Sequence, residues 1–294
     1  MKFAILGVGL IGGSLGLCLK KSYGDKIFVT GLCRTEESMN RAVHLGAVDF
    51  ASYDLEKVVG DADFIFLSPP VLQIVPLVEK ILPYIKAGAI LTDAGSTKKY
   101  ICDELKKILP PDIFFVAGHP MAGREKSGVS AATADLFRNK AYVLVTDKDE
   151  SAETVDARNK LVELLKCTGA RFLLLDVEKH DRNVSAISHV PHIAASALVH
   201  LLEFSHDDIE SCSKMIGGGF KDTTRIASSN ADMWTDVCLT NSEAIVDHLE
   251  NLQSILKKIS DDIRNRDRNS IHKYFADGKK LRDNLLENIN FDPN

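Results

Sequence analysis

The sequence has little that would indicate a disulfide framework or a structural metal. Its 294 residues include six cysteines, which are scattered along the chain without a C-x-x-C pair. Cysteines spaced in this way are typical of reduced thiols in a cytosolic protein. We therefore expect no disulfide, no bound metal and a cytoplasmic location.

Long apolar runs and an excess of basic residues are also missing. The sequence predicts no membrane span, because no apolar run approaches the required length, and residues 1–20 fit a strand, turn and helix better than a signal peptide. Lys and Arg number 36 against 41 Asp and Glu, which gives a net charge of -5. This balance argues against nucleic acid or acidic lipid as a partner, so an anionic substrate must meet a local basic cluster.

What the chain does contain is enough apolar residues, 45% of the total, to bury a sizeable core. Its length suggests two domains. Strand patterns alternate with helical patterns up to about residue 177, and the chain is then helical almost to its end. We predict an α/β fold, with a Rossmann-type, doubly wound and mostly parallel sheet in residues 1–177 and an all-α domain in residues 178–294.

The first fifteen residues predict a strand, a glycine-rich turn and a helix start. Gly7, Gly9 and Gly12 have the spacing G-x-G-x-x-G directly after the apolar run Phe3 to Leu6. Gly7 permits the tight turn, Gly9 lets the backbone approach a pyrophosphate, and Gly12 allows the helix to pack closely on the strand. The amides at the helix start, which include those of Leu10 and Ile11, favour an anion. We predict a dinucleotide site; a glycine-rich connection without a ligand is the alternative.

The next two strand ends bear on which dinucleotide binds. Lys26 to Leu32 predicts a second strand, whose end usually places an acidic residue on the adenosine ribose. Here the residues are Cys33, Arg34 and Thr35, so a 2′-phosphate is tolerated or attracted. The sequence favours NADP slightly over NAD, although Arg34 could instead stack on adenine or face solvent. Ser68 follows a buried strand that two prolines stop, and is expected beside the cofactor crevice.

Two further strand ends carry candidate catalytic side chains. Ser96 follows the strand Ala89 to Asp93, where a serine is more often the N-cap of the next helix. His119 follows the strand Ile113 to Ala117 at the same sheet edge as the glycine turn, and histidine can exchange protons near neutral pH. A loop histidine without a function is the alternative. The later strands Ala141 to Thr146 and Arg171 to Asp176 are expected to complete the sheet.

The helical half opens with a polar face. Asp181, Ser185, Ser188 and His192 follow helical steps of three and four, and Pro191 should kink or weaken the helix. The face is predicted to point into a ligand crevice; a helix cap or a buried hydrogen-bond network is the alternative. A metal site formed by two nearby histidines lacks a convincing third ligand.

Residues 217–263 carry a basic pair and an apolar stripe. Gly217 to Phe220 predicts a loop, after which Lys221 and Arg225 share a helical face and form the local basic cluster. Arg225 can bind a carboxylate with two parallel hydrogen bonds. The stripe has heptad-like spacing, typical of a core or a subunit interface. Its members are Ile245, Leu249, Leu252, Leu256, Ile259 and Ile263.

Together these motifs resemble the prephenate/arogenate dehydrogenase family of tyrosine biosynthesis. The resemblance rests on residues 7–15, 93–98, 118–123, 188–192 and 217–227, and Trp234 stands where many members have a tryptophan. It implies NAD(P)-dependent oxidative decarboxylation of prephenate, with arogenate as the alternative substrate, by a homodimer joined through the helical domains. It also implies that His119 accepts the proton of the ring hydroxyl and that Ser96 orients His119 or that hydroxyl. Arg225 would bind a substrate carboxylate, supported by His192 and Lys221.

Two other function classes remain in view. A β-hydroxyacid-type dehydrogenase also joins a Rossmann domain to a helical one, but typically uses a helical lysine as its acid or base, and the motifs around His119 and His192 are not of that type. A nucleotide sensor without catalytic activity could keep the dinucleotide fold. The presence of both His119 and Ser96 argues against the sensor.

Overall fold

The computed structural model describes residues 1–123, 126, 128–147, 150–204 and 209–290, with side chains up to residue 287. These residues form two compact units, one of residues 1–245 and one from Val246 onward. The candidate site residues predicted from the sequence all lie in the first unit.

The first unit is built on a six-stranded parallel sheet with the order β3-β2-β1-β4-β5-β6. Its strands are β1 (Lys2–Leu6), β2 (Phe28–Leu32), β3 (Phe50–Ser52), β4 (Phe64–Leu67), β5 (Ile90–Asp93) and β6 (Phe114–Val116). The chain adds β2 and β3 on one side of β1 and then β4, β5 and β6 on the other side. The crevice between β1 and β4, where the order switches, is where doubly wound sheets bind ligands. The predicted Rossmann-type fold is confirmed.

Helices cover both faces of this sheet, as the unbroken apolar strands require. They are α1 (Leu10–Tyr23), α2 (Glu36–His44), α3 (Leu55–Val59), α4 (Val71–Ile81), α5 (Lys99–Ile108) and α6 (Ala152–Leu165). Alternate residues of β1 face opposite sides: Phe3 and Ile5 join a core with α1 and α6, and Ala4 and Leu6 join a second core with α4 and α5. The period of two in an extended strand is what divides the apolar side chains between the two cores.

The later strands do not complete the main sheet, and that prediction is wrong. β7 (Gly118–Pro120), β8 (Ala141–Thr146) and β9 (Arg171–Asp176) form a separate three-stranded sheet. Here β7 is antiparallel to β8, with His119 opposite Val143, and β8 is parallel to β9. The chain leaves the main sheet immediately after β6, so His119 lies on a strand of the second sheet and not on a loop past the first.

The described residues after β9 are mostly helical, as predicted. Its helices are α7 (Val177–Val184), α8 (Val190–His200), α9 (Ile209–Lys214), α10 (Gly218–Thr224), α11 (Ala231–Thr240), α12 (Ser242–Arg264) and α13 (Arg268–Asn290). The predicted loop at Gly217 to Phe220 is wrong, because Gly217 is the N-cap of α10 and the other three residues are helical. A π-helical turn, Ser185–His189, separates α7 from α8, so the distortion expected near Pro191 lies in the turn before it.

The helical run Val177–Phe204 is long and apolar enough to cross a membrane, with a mean hydropathy of 1.3 over its most apolar 18 residues. The expectation that no segment reaches that length is therefore wrong. By length and composition alone, a core helix passes the same test. This run carries His180, Asp181 and His189, all buried, and His180 and Asp181 bond to β7 and to the start of α5. These contacts pack the first part of the run against β7 and α5, and 28% of the residues in its most apolar window are buried.

Candidate active site

The glycine-rich turn has the geometry that its spacing predicts. Gly7 has a φ of +102°, and a Cβ there would lie 2.9 Å from the backbone oxygen of Ser68. A Cβ on Gly12 would lie 2.4 Å from the Gly7 oxygen, so helix α1 packs against the turn only because this residue has no side chain. A Cβ on Gly9 would meet nothing within 4 Å, which leaves the turn open on that side.

The start of α1 fits the pyrophosphate of a dinucleotide. The first helical bond of α1 runs from the Gly13 amide to the Gly9 oxygen, so the first-turn amides, those of Leu10, Ile11 and Gly12, have no partner within the helix. Gly9 brings no side chain to cap them, and the first turn has no acidic residue. Free amides and the helix dipole together favour a bound anion.

The other predicted cofactor residues lie at the ends of β2 and β4. The Ser68 hydroxyl donates to the Gly7 oxygen over 2.8 Å, and thereby ties the end of β4 to the glycine turn. Thr35 is the N-cap of α2 and forms a capping box with Ser38. Arg34, just before it, is exposed, and Cys33 is buried. No carboxylate from the stretch Leu32 to Thr35 therefore opposes a 2′-phosphate.

His119 is held by a chain of hydrogen bonds that the sequence did not predict. Its Nδ1 lies 2.9 Å from Nε2 of His180, and Nδ1 of His180 lies 2.7 Å from Oδ1 of Asp181. Asp181 also accepts the backbone amides of Lys98 and Lys99, at 2.8 and 2.9 Å. The side chains of His119, His180 and Asp181 are all buried.

The order of these bonds assigns the protons on both rings. Ionised Asp181 can only accept, so Nδ1 of His180 carries a proton and its Nε2 is left as an acceptor. His119 must then donate through Nδ1, and its Nε2 keeps a free lone pair. His119 is thus arranged as a base whose reactive nitrogen is Nε2.

The surroundings keep that base neutral. Burial lowers the pKa of His119 well below its usual value, and the charges of His180, Lys98 and His189 lower it further. Burial acts to raise the pKa of Asp181, but the hydrogen bond from His180 and the two amides of α5 outweigh it and hold this pKa below its usual value. The site therefore combines an ionised carboxylate with an unprotonated imidazole at neutral pH.

Ser96 lies between β5 and α5 and is half-buried. It is not a helix cap: Lys98 is the N-cap of α5, and the carboxylate of Asp181 receives the amides there. Within the described part of the chain, Ser96 has no hydrogen bond to His119, whose Nδ1 is taken by His180. Its serine hydroxyl is left to a ligand or to solvent.

The predicted polar face divides into a buried and an open part. Asp181 and Ser185 are buried in hydrogen bonds inside the protein, and Ser185 donates to the Ala244 oxygen over 2.9 Å. The alternative of a buried network is therefore correct for these two. Ser188 and His192 are only half-buried, and His192 bonds through Nδ1 to the Ser188 oxygen at 2.9 Å.

His192 lies in a setting suited to an anionic ligand. Its ring stacks on Trp234 with 3.8 Å between ring centroids. Burial, together with the charge of Arg225, lowers the pKa of His192. Arg225 begins the 3-10 turn that follows α10, which carries Lys221, and both cationic side chains are exposed.

Neighbouring His189 is bonded within the protein through one ring nitrogen. Its Nδ1 lies 3.2 Å from Nδ2 of Asn241, which also donates to the Asp181 backbone oxygen. Among the described residues, no group of three His, Cys, Asp or Glu side chains is placed to hold a metal ion. All six cysteines are free.

His189 makes folding stability depend on pH. Burial is the main cause that lowers its pKa to about 4. Because an unfolded histidine titrates near 6.5, the stabilisation is complete above that pH and is lost as pH falls toward 4, an effect of about 3 kcal/mol. Denaturant unfolding should therefore show lower stability at pH 5 than at pH 7, with a weaker dependence in His189→Gln. The exposed-site variant His44→Gln should keep the wild-type dependence; equal pH dependence in all three proteins would contradict the assignment.

The comparisons with known proteins agree with this geometry. A family model described as "Prephenate dehydrogenase, nucleotide-binding domain" matches residues 15–174, and one described as "Prephenate dehydrogenase, dimerization domain" matches residues 176–277. A prephenate dehydrogenase of Lactococcus lactis is 38% identical over 96% of this chain and 76% of its own. A cyclohexadienyl dehydrogenase of Zymomonas mobilis is 29% identical over 95% of this chain and 94% of its own.

A solved structure extends the agreement to the fold. The prephenate dehydrogenase from A. aeolicus, crystallised with hydroxyphenyl propionate and NAD+, superposes with a TM-score of 0.89 at 31% identity and covers 97% of this chain and 98% of its own. The family models cover both the nucleotide-binding and the helical part, and the sequence identity extends over nearly the whole chain. The chain therefore belongs to the prephenate dehydrogenase family.

Proposed function

We propose that this protein oxidises prephenate to 4-hydroxyphenylpyruvate and CO2, with a nicotinamide dinucleotide as the electron acceptor. The observation that carries the proposal is the bond order from Asp181 through His180 to His119, which leaves Nε2 of His119 as a neutral base. A base of this kind is what the reaction requires, because the ring hydroxyl must lose its proton as its carbon is oxidised.

In the proposed mechanism the protein supplies position and a base. A bound nicotinamide would accept the hydride from the ring carbon that bears the hydroxyl. Nε2 of His119 accepts the hydroxyl proton at the same stage, and the Nδ1 bond to His180 holds the ring in place. The carbon–carboxylate bond then breaks, its electron pair makes the ring aromatic as CO2 departs, and the ring oxygen takes the proton back from Nε2 of His119 to give the phenol. Ser96, with no partner in His119, is available to orient the hydroxyl.

A substrate carboxylate is proposed to bind beside the basic cluster. Arg225 is proposed to bind it, because its guanidinium can donate two parallel hydrogen bonds to a carboxylate. His192 and Lys221 are proposed to support that placement. Two observations support this placement. His192 stacks on Trp234, and the charge of Arg225 lowers its pKa. Helix α10 and the turn that begins at Arg225 both pack against α8, which carries His192.

The cofactor is proposed to bind at Gly7, Gly9, Leu10, Ile11, Gly12 and Ser68, with Arg34 and Thr35 beside the adenosine ribose. The neutral, buried Cys33 and the exposed Arg34 favour NADP slightly over NAD.

Arg34→Ala should lower kcat/KM for NADP about tenfold and leave NAD nearly unchanged, because only the 2′-phosphate would lose a charge partner. Arg41→Ala is the matched control, since this arginine is on the adjacent helix α2 and bonds to Ser130. An unchanged ratio of NADP to NAD efficiency in Arg34→Ala would contradict the role of Arg34.

Arogenate is the alternative substrate. It differs from prephenate by an amine in place of the keto group, and the cyclohexadienyl dehydrogenase among the relatives makes this alternative worth a direct assay. A β-hydroxyacid-type dehydrogenase and a sensor without turnover are less favoured, because His119 is held as a neutral base.

The protein is proposed to act in the cytoplasm as a homodimer joined through its helical part, with residues 1–177 for the cofactor and 178–294 for substrate and dimerisation. Within the unit from Val246 onward, large apolar side chains are exposed on both α12 and α13, among them Leu256 and Phe275. The match of residues 176–277 to the dimerization-domain model supports the same assignment.

Four absorbance assays at the reduced-nicotinamide band test the proposed activity. Purified protein is mixed with prephenate or arogenate, each with NAD or NADP. Turnover with prephenate is expected, faster with NADP if Arg34 acts as proposed. Turnover with arogenate alone would move the substrate to the alternative, and no turnover in any mixture would contradict the proposal.

A further inference from the structure

A buried ion pair lies directly behind His119. Lys98 and Asp93 both have fully buried side chains, and Nζ of Lys98 bonds to Oδ2 of Asp93. The same Nζ donates to the Gly118 backbone oxygen over 2.7 Å. Asp93 accepts the Gly118 amide through Oδ1 at 3.0 Å. Both polar backbone groups of the residue before His119 are thus held by this one pair.

The backbone at Gly118 is packed too closely against β5 to accept a side chain. A Cβ on Gly118 would lie 2.8 Å from the backbone oxygen of Asp93 and 2.9 Å from the Thr92 hydroxyl. The Gly118 peptide is therefore fixed by close packing on one side and by the ion pair on the other. Small movements of this peptide would carry directly to the His119 ring, which follows it on the short strand β7.

Lys98 also holds the other end of the hydrogen-bond chain to His119. Its backbone amide donates to Asp181 over 2.8 Å, beside the Lys99 amide. Asp181 in turn fixes His180, and His180 fixes the His119 ring. The side chain of Lys98 thus holds the backbone before His119. Its backbone amide holds the carboxylate of Asp181, from which hydrogen bonds run through His180 to the His119 ring.

Stability alone is a poor reason for such a pair. Removing two charges from water is costly, and replacing a buried ion pair with apolar side chains is often neutral or stabilising. Here the pair bonds to the peptide immediately before His119, the residue whose placement decides proton transfer.

We propose that Lys98, paired with Asp93, is a positioning residue that fixes both the backbone and the ring of His119. This inference rests on the proposed function. Lys98 is fully buried, so it acts through His119 and not through contact with a ligand.

The charge of Lys98 gives the role a distinct pH signature. The groups that face His119 are His180 and His189 from the helical run, Lys98 from the start of α5, and the carboxylates of Asp93 and Asp181 behind them. Lys98 is among the charges that lower the pKa of His119. Without it the pKa rises, so the acid side of the kcat profile, where His119 becomes protonated, moves to higher pH.

The test compares wild type, Lys98→Met and the double variant Asp93→Asn/Lys98→Met, in which no unpaired charge is buried. Each variant is expected to lower kcat for prephenate about 10- to 100-fold, the scale of a small misplacement at a reacting group. KM for prephenate and for the cofactor should stay within about twofold, because no ligand contact is lost. In Lys98→Met, which loses the positive charge, the acid limb should move to higher pH. Arg158→Met is the control, since it breaks a mostly buried ion pair with Glu150 that has no bond to His119, Lys98 or Asp93.

Each outcome has one meaning. A wild type inactive with prephenate would contradict the proposed function, whereas an active wild type with unchanged variants would overturn only the role of Lys98. A lower kcat at every pH with an unmoved acid limb, or failure of both variants to fold, would assign the pair to stability and overturn the inference. A rise in KM with an unchanged kcat would also overturn the inference, because it would indicate that Lys98 contacts a ligand.

Discussion

Replacing His119 with asparagine should lower kcat for prephenate about 10²- to 10⁴-fold, the range typical for loss of a positioned general base. The side-chain amide of asparagine can still donate to Nε2 of His180, so the chain of bonds to Asp181 is kept while the base is lost. KM should change little, because the loss falls on the transition state and not on substrate binding. Steady-state kinetics with saturating cofactor measure both values.

The matched control for this prediction is His44→Asn, which changes an exposed histidine on α2. It should keep the wild-type kcat. Unchanged turnover in His119→Asn would remove His119 from the mechanism, and a rise in KM with a constant kcat would make it a binding residue.

Replacing Arg225 with glutamine should weaken substrate binding by about 1.5–3 kcal/mol, roughly a 10- to 150-fold rise in KM for prephenate, the usual scale for a hydrogen bond to a charged group. Glutamine keeps the length of the side chain but loses the charge and the paired donors. The value of kcat should fall less than KM rises, since Arg225 is assigned to a substrate carboxylate and not to the proton transfer at His119.

Arg138→Gln is the control for this second prediction. Arg138 forms an exposed ion pair with Asp135, and such pairs contribute little. Its KM should equal that of the wild type. An unaltered KM for prephenate in Arg225→Gln would refute the proposed contact with the carboxylate.

Local sequence patterns predicted the parts of the molecule that local physics controls. The turn at Gly7, Gly9 and Gly12 needs residues without side chains at fixed spacing, and the structure has a positive φ at Gly7 and close packing at Gly12. Buried parallel strands are continuous apolar runs, so the principal strands were predicted within a few residues of their true ends. The short strand β3 and the helix α3 were missed, because each is too short to carry a period.

Contacts between distant parts of the chain were not predictable in this way. His119 and His180 are separated by 61 residues, and nothing in the spacing of either one indicates the other. The π-helical turn adds a residue to the helical phase, so His189 became buried although the predicted face did not include it. One sequence signal for the missed hydrogen bonds was present: His180 and Asp181 are adjacent, on a helix that directly follows a strand.

Tertiary packing also overrode two local predictions. Gly217 to Phe220 has the composition of a loop, but α10 packs against α8 with Thr224 buried, and the helix forms. The strands β8 and β9 have ordinary strand patterns, and no pattern states which sheet they join. β8 pairs with β7 and β9 pairs with β8, in a second sheet that begins where the chain turns away from the main sheet at Gly118, a position where no side chain fits.

The most direct test of the proposed reaction is its stoichiometry. Prephenate labelled in its ring carboxylate is turned over by the wild-type protein, and released CO2 and reduced nicotinamide are measured in the same samples. The mechanism predicts equal amounts of the two, because hydride loss and loss of CO2 belong to one reaction that ends in the aromatic ring. Reduced nicotinamide without CO2 would contradict it and indicate a simple alcohol oxidation, and CO2 without reduced nicotinamide would contradict the assigned oxidation.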